Sequence, residues 1–91
     1  MKAVHVIISG RVQGVGFRYF TYRFARKLEI AGWVKNLPDG KTVELYAQGP
    51  LSDVDAVVSH VRQGPMFSKV RGVKVTVREP DHTILNFEIK Y

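Results

Sequence analysis

The stretch Gly10-Arg11-Val12-Gln13-Gly14-Val15-Gly16-Phe17-Arg18 places three glycines before an arginine, and these are the residues best suited to do chemistry. Glycine reaches positive φ and has no Cβ, so successive backbone N–H groups can face one concavity. A helix beginning there adds unpaired donors and a partial charge of about +0.5. Arg18 supplies a planar, permanently charged fork matched to phosphate oxygens. Gln13, Gly14, Val15, Gly16, Phe17 and Arg18 are therefore the candidate ligands of an anion, although the spacing fits neither the nucleotide P-loop nor the dinucleotide fingerprint. Arg11 either adds potential at the loop mouth or is an ordinary solvated arginine. The Gln13 amide either faces the cradle or pins the loop by hydrogen bonding.

Other reactive constellations are missing from the sequence. Without cysteine, disulfides, thiolate catalysis and cysteine-ligated metals are excluded. His5, His60 and His82 are scattered, with no serine or acid nearby to make a triad, and each reads as structural. Asp39 belongs to a turn, Asp53 and Asp55 suit a helix N-terminus, and Glu44 reads as exposed, so no carboxylate dyad or metal cluster is expected. The formal charge of +6 fits anionic partners, small phosphorylated molecules or nucleic acid, and equally a lysine-rich solvated surface, so charge alone does not choose. No apolar run approaches the roughly 18 residues that span a bilayer, and no secretion signal opens the chain, which fits a cytoplasmic protein.

The elements that must position these residues follow from periodicity. Residues 1–91 read as one small domain. Val4, Val6 and Ile8 alternate along a first strand ending near Gly10. Phe17, Phe20, Phe24 and Leu28 then recur at helical spacing, opposite Arg23, Arg26, Lys27 and Glu29. Trp33 to Leu37 forms a second strand, Pro38-Asp39-Gly40 a turn, and Val43, Leu45 and Ala47 mark a third strand. Ser52 and Asp55 resemble a capping box opening a second helix, whose apolar stripe is Val54, Val57, Val58 and Val61, stopped by Gly64-Pro65. Val73, Val75 and Val77 define a fourth strand, and Leu85, Phe87 and Ile89 a last one.

This order, βαββαβ plus a strand, predicts an α+β ferredoxin-like sandwich with two helices on one face of an antiparallel sheet and the third strand between the first and second. The extra C-terminal strand has no assigned place. In that arrangement strands one and two run the same way, so the loop after strand one and the end of strand two share an edge. Arg18 and Asn36 therefore converge, with Asn36 on the same face as Val34. Phe17, Phe20, Phe24 and Trp33 are expected in the core.

Two stretches of the chain match known signatures. Gly10 to Arg18 closely resembles the first signature of the acylphosphatase family, and Gly32-Trp33-Val34-Lys35-Asn36-Leu37-Pro38-Asp39-Gly40 resembles its second. The resemblance covers nearly the whole chain, with a tyrosine near the end. It implies a cofactor-independent hydrolase that splits an acyl phosphate into a carboxylate and inorganic phosphate, without a bound metal. It also implies that Arg18 binds the phosphoryl group and that Asn36 positions water. Physical chemistry agrees with that division: phosphoryl transfer has a loose transition state with charge on three equatorial oxygens, so placement and fixed positive potential do most of the work. A carboxylate is a good leaving group, which removes the need for a strong general acid. Asn36 orients but does not deprotonate water, leaving the substrate phosphate as the proton acceptor.

The rival class is a binding module on the same fold, for nucleic acid or a phosphorylated intermediate, without rapid turnover. The run Val15-Gly16-Phe17-Arg18-Tyr19-Phe20 is faintly similar to the RNA-recognition motif. Its aromatic residues open a helix, however, and the third strand offers only Tyr46 outward, so nucleic acid is the weaker expectation. The expected partner is a small acyl phosphate of broad acyl range, with phosphate or sulfate competing for the same site. No feature of the sequence assigns an oligomeric state.

Overall fold

In the computed structural model, which describes residues 1–91, seven elements follow one another: β1 (Lys2–Arg11), α1 (Phe17–Arg26), β2 (Ala31–Asn36), β3 (Thr42–Gly49), α2 (Leu51–Gln63), β4 (Lys69–Arg78) and β5 (Phe87–Lys90). The five strands form one sheet in the order β4-β1-β3-β2-β5, with the third strand between the first and second as expected. Register is set by alternation. Val4, Val6 and Ile8 of β1 lie opposite Ala47, Leu45 and Val43 of β3, and all six are buried beneath the helices. A slip of one residue would turn these side chains to the open face.

Four strands are antiparallel to their neighbours, but β5 adds to the edge of β2 in parallel register, Gly32 opposite Phe87 and Val34 opposite Ile89. The sheet is thus mixed rather than antiparallel throughout. This connection from β4 crosses the sheet instead of turning back, so β5 runs in the direction of β2. Leu85, expected on the inward face of this strand, precedes it and is 79% exposed.

Val54, Val57 and Val61 of α2 and Phe17, Thr21 and Ala25 of α1 make the buried helix stripes. Phe20 and Phe24 are not in the core centre. They flank it, stacking on the two faces of His60 from α2 at centroid distances of 4.0 and 3.9 Å. Trp33 is on the open face of the sheet, opposite in parity to the buried Val34, where it lies near Tyr46 and His5. The capping box does not form either. Helix α2 begins at Leu51 behind Pro50, without a side-chain cap, and Asp53 instead accepts a hydrogen bond from the Glu29 backbone at 3.1 Å. Glu44 is half-buried on the open face, bonded to His5 at 2.6 Å and paired with Lys35 at 3.4 Å. Burial pushes its carboxyl up, but the hydrogen bonds from His5 and Lys35 prevail and hold it below its ordinary range.

The long edge strand β4 pairs only with β1. Val73 packs against the core, whereas Val77, on the same face, is 69% exposed. No helix is long and apolar enough to cross a membrane.

Candidate active site

Gly14 (φ +74) and Gly16 (φ +78) both adopt the left-handed conformation that favours glycine, and a Cβ built on either would meet no atom within 4 Å. The loop therefore curls around open space. Gly16 also caps α1, with no side-chain cap and no acid in the first turn, so the partial positive charge of the helix end is left uncompensated. The N–H groups of Gly14, Val15 and Gly16 donate to no backbone carbonyl. These are free donors beside a positive helix terminus.

A hollow of about 220 Å³ forms over this loop, lined by Gly14, Gly16, Phe17, Arg18 and Asn36 together with Val12, Tyr19, Ile89 and Tyr91. Two elements converge to make it, as the parallel course of β1 and β2 requires. Arg18 sits in the first turn of α1 and Asn36 ends β2. The Arg18 guanidinium donates to the Lys90 carbonyl at 3.3 Å, and its central carbon lies 4.7 Å from the centroid of the Tyr91 ring. One N–H is thereby held, leaving the rest of a five-donor fork for an anion.

Two of the expected ligands play other parts. Gln13 points away from the hollow and donates from Nε2 to the carbonyls of Leu37 and Thr42, both at 2.8 Å, so its side chain pins the loop. Val15 packs its side chain against the core. Only backbone atoms of these two residues remain for the cradle. Ile89, Tyr91 and Tyr19 were not singled out for the site by sequence. The tyrosine near the chain end was visible, but its place depended on where β5 docks.

The turn that presents Asn36 is built by Asp39, whose carboxylate accepts from the Lys41 N–H at 2.9 Å and from the Thr42 hydroxyl at 2.5 Å. The Thr42 and Lys41 hydrogen bonds hold its carboxyl below the usual range. Asp39 thus has a structural task. No group of three or more His, Asp or Glu side chains is arranged to hold a metal ion. A larger hollow, about 760 Å³, opens at the opposite end of the sheet between Met1, Ala31, Pro50 and Leu85. Arg26 on its wall is offset by Glu29, and no glycine-rich loop lines it, which suits it less well to a dianion.

A small α+β sandwich with an anion-sized hollow at the N-terminus of its first helix is the form of a phosphoryl-binding domain. Comparison narrows the class. The family model for acylphosphatase matches residues 4–89. An acylphosphatase of Archaeoglobus fulgidus is 50% identical over 91 residues, covering the full length of both chains. The crystal structure of acylphosphatase from Bacillus subtilis superposes with a TM-score of 0.93 at 44% identity, again over all of both chains. The same fold recurs as 12% of full-length HypF, solved in a phosphate- and nucleotide-bound form, with a TM-score of 0.84 at 30% identity. The chain belongs to the acylphosphatase family.

Proposed function

We propose that this chain hydrolyses the carboxyl–phosphate bond of acyl phosphates, with the phosphoryl group gripped by the 14–18 backbone and Arg18 and the attacking water aimed by Asn36. The family membership and the match over the full length of its acylphosphatase relatives support the reaction. The residue roles rest on one observation: Arg18, Asn36 and the two left-handed glycines line a single hollow.

The chemistry follows from that arrangement. The substrate phosphate takes the unpaired loop N–H groups and the Arg18 fork, which together match the charge spread over its equatorial oxygens. The Asn36 carboxamide holds a water through its oxygen, in line with the phosphorus–acyl oxygen bond. As the water oxygen bonds to phosphorus, the bond to the acyl oxygen breaks and a carboxylate departs with the electron pair. The proton of the water passes to a phosphate oxygen, since no side chain lining the hollow is a base near neutral pH. Carboxylate and inorganic phosphate result.

The test is phosphate release from acetyl phosphate by purified protein, compared with Arg18→Ala. Rapid release by the wild type, lost in the variant while circular dichroism is unchanged, is the expected outcome. Activity of the variant within tenfold of wild type would refute the role of Arg18. Binding of the acyl phosphate without release would return the chain to the class of binding modules.

A further inference from the structure

A second hollow of about 380 Å³ adjoins the first, sharing Gly16 and Tyr19 with it. It runs along α1 over Phe20, Arg23, Phe24 and Lys27, with His60 of α2 as its flank. Because helix positions three and four apart fall in line, Gly16, Tyr19, Phe20, Arg23 and Lys27 form one strip leading away from the cradle. Its walls are rigid aromatic rings: Phe20 and Phe24 clasp His60 within 7° and 11° of parallel.

The strip is cationic and its charges are unspent. Neither Arg23 nor Lys27 forms an ion pair, and no Asp or Glu lines either hollow. Arg23 leans back toward the cradle, its guanidinium carbon 5.8 Å from the centroid of the Tyr19 ring, as helix side chains tilt toward the N-terminus. Seven residues separate Gly16 from Arg23, about 10 Å of helix, and the reach of the side chain shortens this. A group bound there lies a few carbon atoms beyond the phosphoryl oxygen.

We propose that this strip is the acyl subsite and that Arg23, assisted by Lys27, selects acyl phosphates whose far end carries a second negative charge, such as a four-carbon dicarboxylic acyl phosphate. The inference rests on the hydrolytic reading above and adds the substrate class. The acyl chain leaves the cradle over Tyr19 and Phe20, and its distal carboxylate meets the Arg23 fork. Neutral acyl groups gain only the aromatic surface.

Three substrates separate the contributions: acetyl phosphate, butyryl phosphate and succinyl phosphate, the last two matched in length and differing in terminal charge. Their kcat/KM values are measured for wild type, Arg23→Gln and Arg23→Gln/Lys27→Gln at low and high salt. Arg23 and Lys27 are exposed, so the variants keep the fold. We expect the wild type to prefer succinyl over butyryl phosphate by about fivefold at low salt, the order that exposed charge pairs deliver, and the preference to fade with salt and in both variants. Acetyl phosphate turnover changes by less than twofold. A succinyl-to-butyryl ratio near one in the wild type, or one that the substitutions leave untouched, overturns the proposal while acetyl phosphate turnover still upholds the hydrolytic reading. Failure of the wild type to turn over acetyl phosphate overturns both.

Discussion

Nε2 of Gln13 lies 2.8 Å from the carbonyl oxygen of Leu37, the residue next to Asn36. Through this bond, and the matching one to Thr42, the glycine loop and the β2–β3 turn are fastened to each other by one side chain. The two halves of the hollow therefore keep their spacing without direct contact between Arg18 and Asn36. Preorganisation of this kind matters most where charge must be met at a fixed place in a transition state.

Gln13→Leu removes both side-chain hydrogen bonds at a half-buried position, leaving the Thr42 carbonyl only the Leu37 N–H at 2.9 Å and the Leu37 carbonyl only the Gly40 N–H at 3.5 Å. We expect a stability loss of about 1–3 kcal/mol, read as a lower midpoint in urea, together with weaker inhibition by phosphate as the loop loosens. A variant of unchanged stability and inhibition would show that the loop holds its shape unaided.

Asn36→Ala should lower kcat by about 10² while leaving the inhibition constant for phosphate within about twofold, because the proposed anion ligands, the loop N–H groups and Arg18, come from the other element lining the hollow. Steady-state kinetics on acetyl phosphate with phosphate as inhibitor separates the two effects. A raised inhibition constant with intact kcat would assign Asn36 to binding instead.

Gly14→Ala and Gly40→Ala form a matched pair. Both positions have left-handed φ, +74 and +77, and in both a Cβ would meet no atom within 4 Å. Each substitution should cost about 1–2 kcal/mol from backbone strain alone. Only Gly14 lines the hollow, so only Gly14→Ala should weaken phosphate inhibition. Equal inhibition by phosphate in the two variants would remove the loop from the site.

His60 is clasped between Phe20 and Phe24, and burial, helped by the charge of Lys27, holds its imidazole below the ordinary value of 6.5. The folded protein then binds this proton less readily than the unfolded chain, so stability rises with pH in this range. The contribution is complete above about 6.5 and declines as pH falls below it toward the folded value. Thermal unfolding followed between pH 8 and 5 should show the loss, and His60→Phe should flatten that part of the curve. A wild-type profile identical to that of the variant would mean His60 titrates as it does in the unfolded chain.

Much of this was legible in the chain because local and global preferences agree. Val4, Val6 and Ile8 can belong only to a half-buried strand, and the parallel course of β1 and β2 follows from the element order, which is why the amino-acid sequence alone brings Arg18 and Asn36 together. Side chains whose partners are distant in sequence were harder. Phe20 and Phe24 have the same spacing whether they enter a core or clasp a histidine of a second helix. Trp33 is as apolar as its core neighbours, yet strand parity puts it on the open face. The parallel docking of β5 depends on a crossing that no local pattern encodes, and with it went the positions of Ile89 and Tyr91 at the hollow. For Gln13 the sequence admits both ligand and pin, and two backbone acceptors more than twenty residues away direct its side chain to the β2–β3 turn.

The free margin of β4 has one further effect. Lys69, Arg71, Lys74 and Arg78 stud this strand, so a second molecule attempting to extend the sheet there would bring its own cations against these. Mutual repulsion guards the exposed ladder against runaway stacking, and the same positive charges that repel a sister molecule raise the local concentration of small anions around the protein.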